Sequence, residues 1–319
     1  MRVRIESAAR LHMGFIDLHG GLGRQFGSIG VALERPRLVV EITSADSLTT
    51  QGPESERVLE FAGCFYAQWP APSNGSAAHI HVIETIPAHV GLGSGTQLAM
   101  AVGTALGRLR GVDVDSFKLA QLMGRGRRSS IGIGAFQQGG FLVDGGHPTE
   151  SDAPSPIIVR RDFPDDWWFT VVMPEIKPGL SGEKEDQAFK EMPRPSAAHA
   201  GQIARLLVMK MLPALEEDDI VPFGEALTEI QQLVGDSFAP VQGGRYANAV
   251  SSQLIGYLLE QGALGAGQSS WGPTVYALVR GKEAAAALEE SLGGFPMGHP
   301  MTVYHSRVAR EGAQIVVKA

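Results

Sequence analysis

One cysteine, Cys64, occurs in the 319 residues. A single thiol excludes an internal disulfide framework and a thiolate zinc cage. It lies in Val58–Trp69, where Val58, Phe61, Ala62, Phe65 and Trp69 recur at helical spacing, so it is expected beside a core face and chemically inert. Long apolar runs are missing too: nothing approaches the ~18 residues of a membrane span. The opening Met-Arg-Val-Arg-Ile-Glu has no signal-peptide core, and a cytoplasmic protein off the membrane is expected. Positive charge is not in excess. A net charge of −7 argues against a nucleic-acid binder working by broad phosphate neutralisation. It leaves room for a small anionic ligand, because a local group of arginines can outweigh the global sign. The nine histidines show no His-Glu-x-x-His spacing, and no Gly-x-Ser-x-Gly elbow occurs, so metal-hydrolase and serine-hydrolase readings have little footing.

What is present is an ordinary globular composition, 44% hydrophobic and 19% charged, long enough for two modest domains. Val3–Leu11, Arg37–Thr43 and the alternation of Ala78, Ile80 and Val82 predict strands, as do Phe141–Asp144 and Ile157–Val159. Asp115–Met123 reads as a short helix with Asp115 near its N-cap. The segment 147–156, rich in Pro, Ser and Asp, reads as a surface loop. From the strand Trp167–Met173 onward the pattern is more helical. Ile203–Leu215, Phe223–Val234 and Tyr246–Leu259 are followed by the strand Thr274–Val279, the helix Lys282–Leu292 and two closing strands, Met301–Ala309 and Gln314–Val317. The expected fold class is α+β, as two domains, 1–165 and 166–319, with a cleft between them.

The segment richest in chemistry is Pro87-Ala-His-Val-Gly91-Leu92-Gly93-Ser94-Gly95-Thr96-Gln97. It sits between a predicted strand and a helix whose apolar face is Leu98, Ala101, Val102, Ala105, Leu106 and Leu109. Three glycines allow a tight turn. The amides of the loop and first helical turn can then converge on an anion with the helix dipole behind them. A plain glycine turn is the bland alternative, and the hydroxyls of Ser94 and Thr96 favour phosphate.

Three further segments carry polar groups in glycine-rich surroundings. Arg10-Leu11-His12-Met13-Gly14-Phe15-Ile16-Asp17 begins as a strand and runs into glycine before Arg24, leaving Asp17 and Arg24 at a strand end or in a loop. Arg125, Arg127 and Arg128 precede Ser129, Ser130 and a glycine run. Guanidinium forks suit phosphate and carboxylate, though charge runs are commonly solvated. Gly262–Pro273 contains Gln268, Ser269, Ser270 and Trp271, either lining a site for a flat polar ring or forming a glycine helix stop with a buried Trp. The charged stretch Gly179–Asp186 resembles a mobile loop and takes no assigned role.

Together and in this order, these segments resemble the GHMP kinase superfamily, with Gly91–Gly95 as its phosphate-binding motif and the glycine run 262–267 as its third motif. Within it, Arg10–Leu18, Gly91–Gln97, Phe136–Gly146 and Gly265–Thr274 resemble the β-ribofuranosylaminobenzene 5′-phosphate synthases. The piece Gln268-Ser-Ser-Trp271-Gly-Pro273 is the most specific. The resemblance implies a two-domain GHMP-type fold with its active site between the domains. It implies condensation of phosphoribosyl pyrophosphate with 4-aminobenzoate, or with 4-hydroxybenzoate, with loss of CO2 and pyrophosphate, in the biosynthesis of methanopterin-type cofactors. Mg2+ and a homodimer come with it. Superfamily kinases often carry an Asp that activates the acceptor hydroxyl, and here that position aligns with Gly132. An ATP-dependent small-molecule kinase is therefore the second reading, and a silent phosphate-binding protein the third.

The roles that follow are expectations. The amides of Gly91, Leu92, Gly93, Ser94 and Gly95, with the hydroxyls of Ser94 and Thr96, hold pyrophosphate and its Mg2+. Asp17 contacts metal or ribose, and Arg24 forms a phosphate or carboxylate fork. Gln97, Gln268 and Ser269 orient substrate, and Trp271 stacks on the arene. Arg10, His12, Arg127 and Arg128 are further candidates for substrate binding.

Overall fold

The two longest strands come first, and everything else is hung from them. In a computed structural model, which describes residues 1–70, 77–151, 153–177, 179–180, 182–296 and 298–318, β1 (Arg2–Asp17) pairs antiparallel with β2 (Arg24–Ala45). Val3, Ile5, Leu11 and Met13 of β1 are fully buried, as alternation along a strand requires. The short β3 (Thr49–Gln51) and β4 (Ala77–Glu84) extend this sheet beyond β2. The other end of β2 pairs with β5 (Phe141–Asp144) and β6 (His147–Pro148), and β5 in turn with β7 (Ile157–Arg161).

A second, antiparallel sheet has the order β11-β8-β10-β9, formed by β8 (Trp167–Pro174), β9 (Gly265–Gln268), β10 (Val275–Arg280) and β11 (Met301–Ser306). The last strand, β12 (Gln314–Lys318), does not stay with this sheet. It crosses the boundary expected near residue 165 and pairs with β1.

Helices α1 (Ser55–Gln68) and α2 (Ser94–Leu109) pack on each other, and α2 covers the first sheet. Next come α3 (Ser116–Leu122), whose N-cap Asp115 accepts from the Lys118 amide, and α4 (Ile131–Gln137) on β1 and β2. Then α5 (Glu183–Glu191) and α6 (Ala197–Leu206) follow, with α6 running through a π turn into α7 (Leu212–Glu216). The long α8 (Ile220–Gln242) touches both β9 and β1, while α9 (Ala249–Glu260) and α10 (Lys282–Ser291) back the second sheet. One apolar cluster therefore continues from Val3 and Ile42 through Phe223 to Phe169 and Tyr276.

Three expectations change. Gly265–Gln268 is strand, not loop. A Cβ on Gly265 would lie 2.6 Å from the Gly224 carbonyl oxygen, so glycine on both elements lets α8 rest directly on β9. The stretch after Gly182 is helix α5, anchored by the buried Ala188. Cys64 is exposed, because Phe61, Ala62 and Phe65 take the inward face of α1 and Cys64 points away from it.

Candidate active site

The turn between β4 and α2 is shaped by two left-handed glycines. Gly91 has φ +90°, and a Cβ there would stand 2.2 Å from the Ser269 carbonyl oxygen. Gly93, at φ +77°, is the N-cap of α2 and gives it no side-chain acceptor. Its carbonyl takes the Thr96 and Gln97 amides at 3.1 and 3.2 Å. The amides of Ser94 and Gly95 have no protein acceptor among the described residues, the usual state of a helix's first turn.

Hydrogen bonds stitch this turn to two distant segments. The Ser269 hydroxyl donates to the Gly91 carbonyl at 2.7 Å and accepts from the His12 amide at 3.0 Å. Arg10 adds its Nη1 to the same Gly91 oxygen at 2.5 Å, and its amide donates to Leu92 at 3.1 Å. Segments far apart in the chain, around residues 10, 91 and 270, thus converge on one cleft of about 510 Å3.

The cleft is cationic although the protein is anionic. Arg10, Arg57, Arg125, Arg127 and Arg128 all line it. Burial holds Arg10 down to about 10, with Glu185 opposing the shift. Burial also lowers Arg125 and Arg128, helped in the first case by the neighbouring Arg57 and resisted in the second by Glu185. Taking guanidinium groups from water is costly, and an anion bound among them would recover that cost. His12, 4% exposed, is driven to about 3 by burial and then by Arg10, so its ring is neutral at physiological pH.

On the same cleft as the Gly91–Gly95 turn, α5 carries the only carboxylates on the wall among the described residues, Glu185 and Asp186. Arg128 pairs with Glu185 at 2.9 Å and also with Asp186, and its guanidinium lies 4.4 Å from the centre of the Phe189 ring. Arg127 approaches Asp186 at 4.0 Å. Trp271 donates its indole N–H to Glu185 at 3.0 Å and packs on Phe238 with ring centres 4.7 Å apart. The arginine loop is held from behind by Asp144, fully buried, which accepts from the Ser130 amide at 2.9 Å and the Gly146 amide at 3.0 Å. Burial raises the Asp144 carboxyl, and those hydrogen bonds oppose it.

Of the residues singled out in the sequence, Arg10, His12, the run Gly91–Thr96, Arg127, Arg128 and Trp271 line this cleft. Three more lie behind its wall. Gln97 is buried and donates to the Gly132 carbonyl at 2.8 Å. Gln268 spans from the Ala247 amide to the Ser270 carbonyl, each at 2.9 Å. Ser269 is fully buried at the junction described above. Two are not part of the lining. Asp17 folds back on the amides of His19 and Gly20 at 2.7 and 2.9 Å, closing its own turn. Arg24 donates to the carbonyls of Gly145 and Gly146 at 2.9 and 2.6 Å, bracing β2 against the turn between β5 and β6. Arg57, His89, Glu185 and Asp186 also line the cleft, the first outside every motif and the other three in segments where no role was expected of them.

Gly132 faces Thr96: a Cβ on it would meet Thr96 Cγ2 at 3.0 Å. A side chain at this position would press on Thr96, which would have to give by a few tenths of an ångström. Among the described residues no group of three or more His, Cys, Asp or Glu side chains could hold a metal ion, and no helix is long and apolar enough to cross a membrane.

Comparison with known proteins agrees with this fold. The family described as GHMP kinases N terminal domain matches residues 56–139, and GHMP kinases C terminal matches 211–295. A homoserine kinase structure from Cytophaga hutchinsonii superposes with a TM-score of 0.69 over 99% of this chain and 97% of that one. Its sequence is 17% identical, a likeness that carries the fold alone. The β-ribofuranosylphenol 5′-phosphate synthase of Archaeoglobus fulgidus is 33% identical over 99% of this chain and 100% of its own length. That of Methanothermobacter thermautotrophicus is 34% identical over 91% and 93%. With a full-length match of this kind on a GHMP-kinase fold, the chain belongs to the β-ribofuranosylphenol 5′-phosphate synthase family.

Proposed function

We propose that this protein is a decarboxylating phosphoribosyltransferase, joining phosphoribosyl pyrophosphate to a benzoate with a para electron donor in the biosynthesis of methanopterin-type cofactors. The observation that carries the reading is the cleft itself, in which arginines and helix-end amides face each other while both wall carboxylates are engaged by Arg128. The relatives' name contains a phenol, which makes 4-hydroxybenzoate the first acceptor to consider and 4-aminobenzoate the second.

The chemistry suits a site whose two wall carboxylates are both held by Arg128. The ring carbon bearing the carboxylate attacks the anomeric carbon, and the bond to pyrophosphate breaks with its electrons leaving on oxygen. The bond to the carboxylate then breaks, its electron pair restores the aromatic ring, and CO2 departs where an ordinary substitution would release a proton. No proton need be taken from the ring carbon, so general-base help is dispensable there. The protein's work is to hold the diphosphate, stabilise its departure and keep the arene at about 3–3.5 Å from the anomeric carbon. The neutral His12 ring and the Trp271 edge give the acceptor an uncharged wall.

Mg2+ fits as an ion that arrives on the diphosphate. Magnesium is commonly bound by substrate phosphates with few protein ligands, and Ser94 and Thr96 place hard hydroxyl oxygens on the cleft wall. When bound, the ion would neutralise charge on the leaving group. A cytoplasmic homodimer belongs to the same reading. Mass spectrometry of the product from each benzoate tests the reaction. A C-riboside phosphate lacking the carboxylate supports it, and ATP-dependent phosphorylation of an alcohol would replace it with a kinase. Glycine at 132 cannot take a proton from an alcohol, which weighs against that kinase.

A further inference from the structure

Two arginines that carry no role in the reading above meet over the first turn of α2. A Cβ placed on Gly95 would stand 2.6 Å from Arg57 Nη2 and 3.4 Å from Arg125 Nη1. The two guanidinium groups come from separate elements, Arg57 from α1 and Arg125 from the turn after α3. Arg57 keeps a partner in Glu54 at 2.7 Å. Arg125 has no ion pair among the described residues; its Nε is buried without an acceptor, and its guanidinium rests 5.0 Å from the centre of the Phe61 ring. Of these like charges, partly desolvated beside the positive end of a helix, only Arg57 has a carboxylate at contact distance; Glu60 acts on Arg125 without forming an ion pair.

We propose that Arg57 and Arg125 form a clamp for a second phosphate, the outer one of a diphosphate whose inner phosphate lies on the Gly91–Gly95 loop. The inference rests on the proposed function in taking the donor to be a diphosphate ester. The distribution of charge selects this end of the cleft. At the far end Arg127 and Arg128 are already matched by Asp186 and Glu185, which would repel a further phosphate. Gly95 lets both forks reach the helix end, and a side chain there would occupy the space of the anion. The clamp would sit on the departing side of the reaction, so both residues would be catalytic by contact with the leaving group.

Calorimetric titration of the full-length protein with inorganic pyrophosphate, and separately with inorganic phosphate, tests the clamp. Wild type should prefer pyrophosphate. Arg57→Gln and Arg125→Lys should each weaken pyrophosphate at least about tenfold and leave phosphate within about twofold, because the loop amides remain. Equal weakening of both anions, or unchanged pyrophosphate affinity in Arg57→Gln, would overturn the proposal. Glu54→Gln controls for structure: freeing Arg57 should hold or raise pyrophosphate affinity, and a tenfold loss would mean that the Glu54 pair matters rather than the anion. A wild type with the stated anion preference that never releases CO2 would sink the reaction while leaving the clamp standing.

Discussion

The Ser269 hydroxyl donates to the Gly91 carbonyl at 2.7 Å, joining residues 178 positions apart at the edge of the Gly91–Gly95 turn. Because the same oxygen accepts from the His12 amide, one side chain ties three segments together. Ser269→Ala should leave a buried amide unpaired and cost about 1–3 kcal/mol of stability in urea unfolding. Its kcat should fall more than its KM rises, since the loop would lose position rather than charge. Gly91→Ala should be harsher, about 2–4 kcal/mol, because it adds a Cβ against the Ser269 carbonyl at a positive φ. A variant at either position with wild-type stability would show that the seam is dispensable.

Arg128 is held by Glu185 on one side and the Phe189 ring on the other. Without it Glu185 would stand on the cleft wall without its cation, facing an anionic donor, so Arg128→Ala should cost about 2–4 kcal/mol in kcat/KM. Arg128→Lys should recover little, because an ammonium cannot reproduce the planar stack and fork. Steady-state kinetics with both substrates check this; full rescue by lysine would mean that only charge matters.

His12 makes stability depend on acid. In the unfolded chain it takes a proton near pH 6.5, whereas in the folded protein it resists protonation to about pH 3. The unfolded state thus binds more protons between these values, and stability falls as pH falls through that window. From pH 7 to pH 5 the loss from this residue is about 2 kcal/mol. His12→Gln should flatten that slope in pH-dependent denaturation, and an unchanged slope would mean that the ring is solvated in the folded state.

Arg24 and Cys64 test the periphery. Arg24 serves the carbonyls of Gly145 and Gly146 and does not line the cleft, so Arg24→Ala should change kcat/KM by no more than about threefold, the range of an ordinary surface substitution. Exposed Cys64 should react with a maleimide in the native protein. A large activity loss in Arg24→Ala would bring that side chain into the site.

How much of this was readable from the chain follows from which features are local. The Gly91–Gly95 turn between a strand and a helix was legible because its glycines and hydroxyls are contiguous and lie between a strand pattern and a helix pattern. Gln268 through Trp271 stood out for the same reason, although Gly265–Gln268 became a strand because α8 supplies Gly224 as a matching surface. Arg57 gave no signal: it is one charged residue on an amphipathic helix, and only the approach of α1 to α2 brings it to Gly95. Glu185 and Asp186 were visible as charge but not as helix, since α5 has a single buried anchor, Ala188, and its order depends on Arg128 and Trp271. Asp17 and Arg24 looked exposed in a glycine-rich stretch, yet Asp17 closes its own turn and Arg24 braces a turn far away in the chain, uses that spacing alone does not separate from catalysis.

The most direct measurement of the central claim is release of labelled CO2 from carboxyl-labelled 4-hydroxybenzoate, incubated with the protein, phosphoribosyl pyrophosphate and Mg2+. The account expects label to appear only when the sugar donor is present, in step with pyrophosphate, and to drop sharply in Arg128→Ala. Retention of all label while the donor binds tightly, or ADP formation from ATP with an alcohol acceptor, would contradict it.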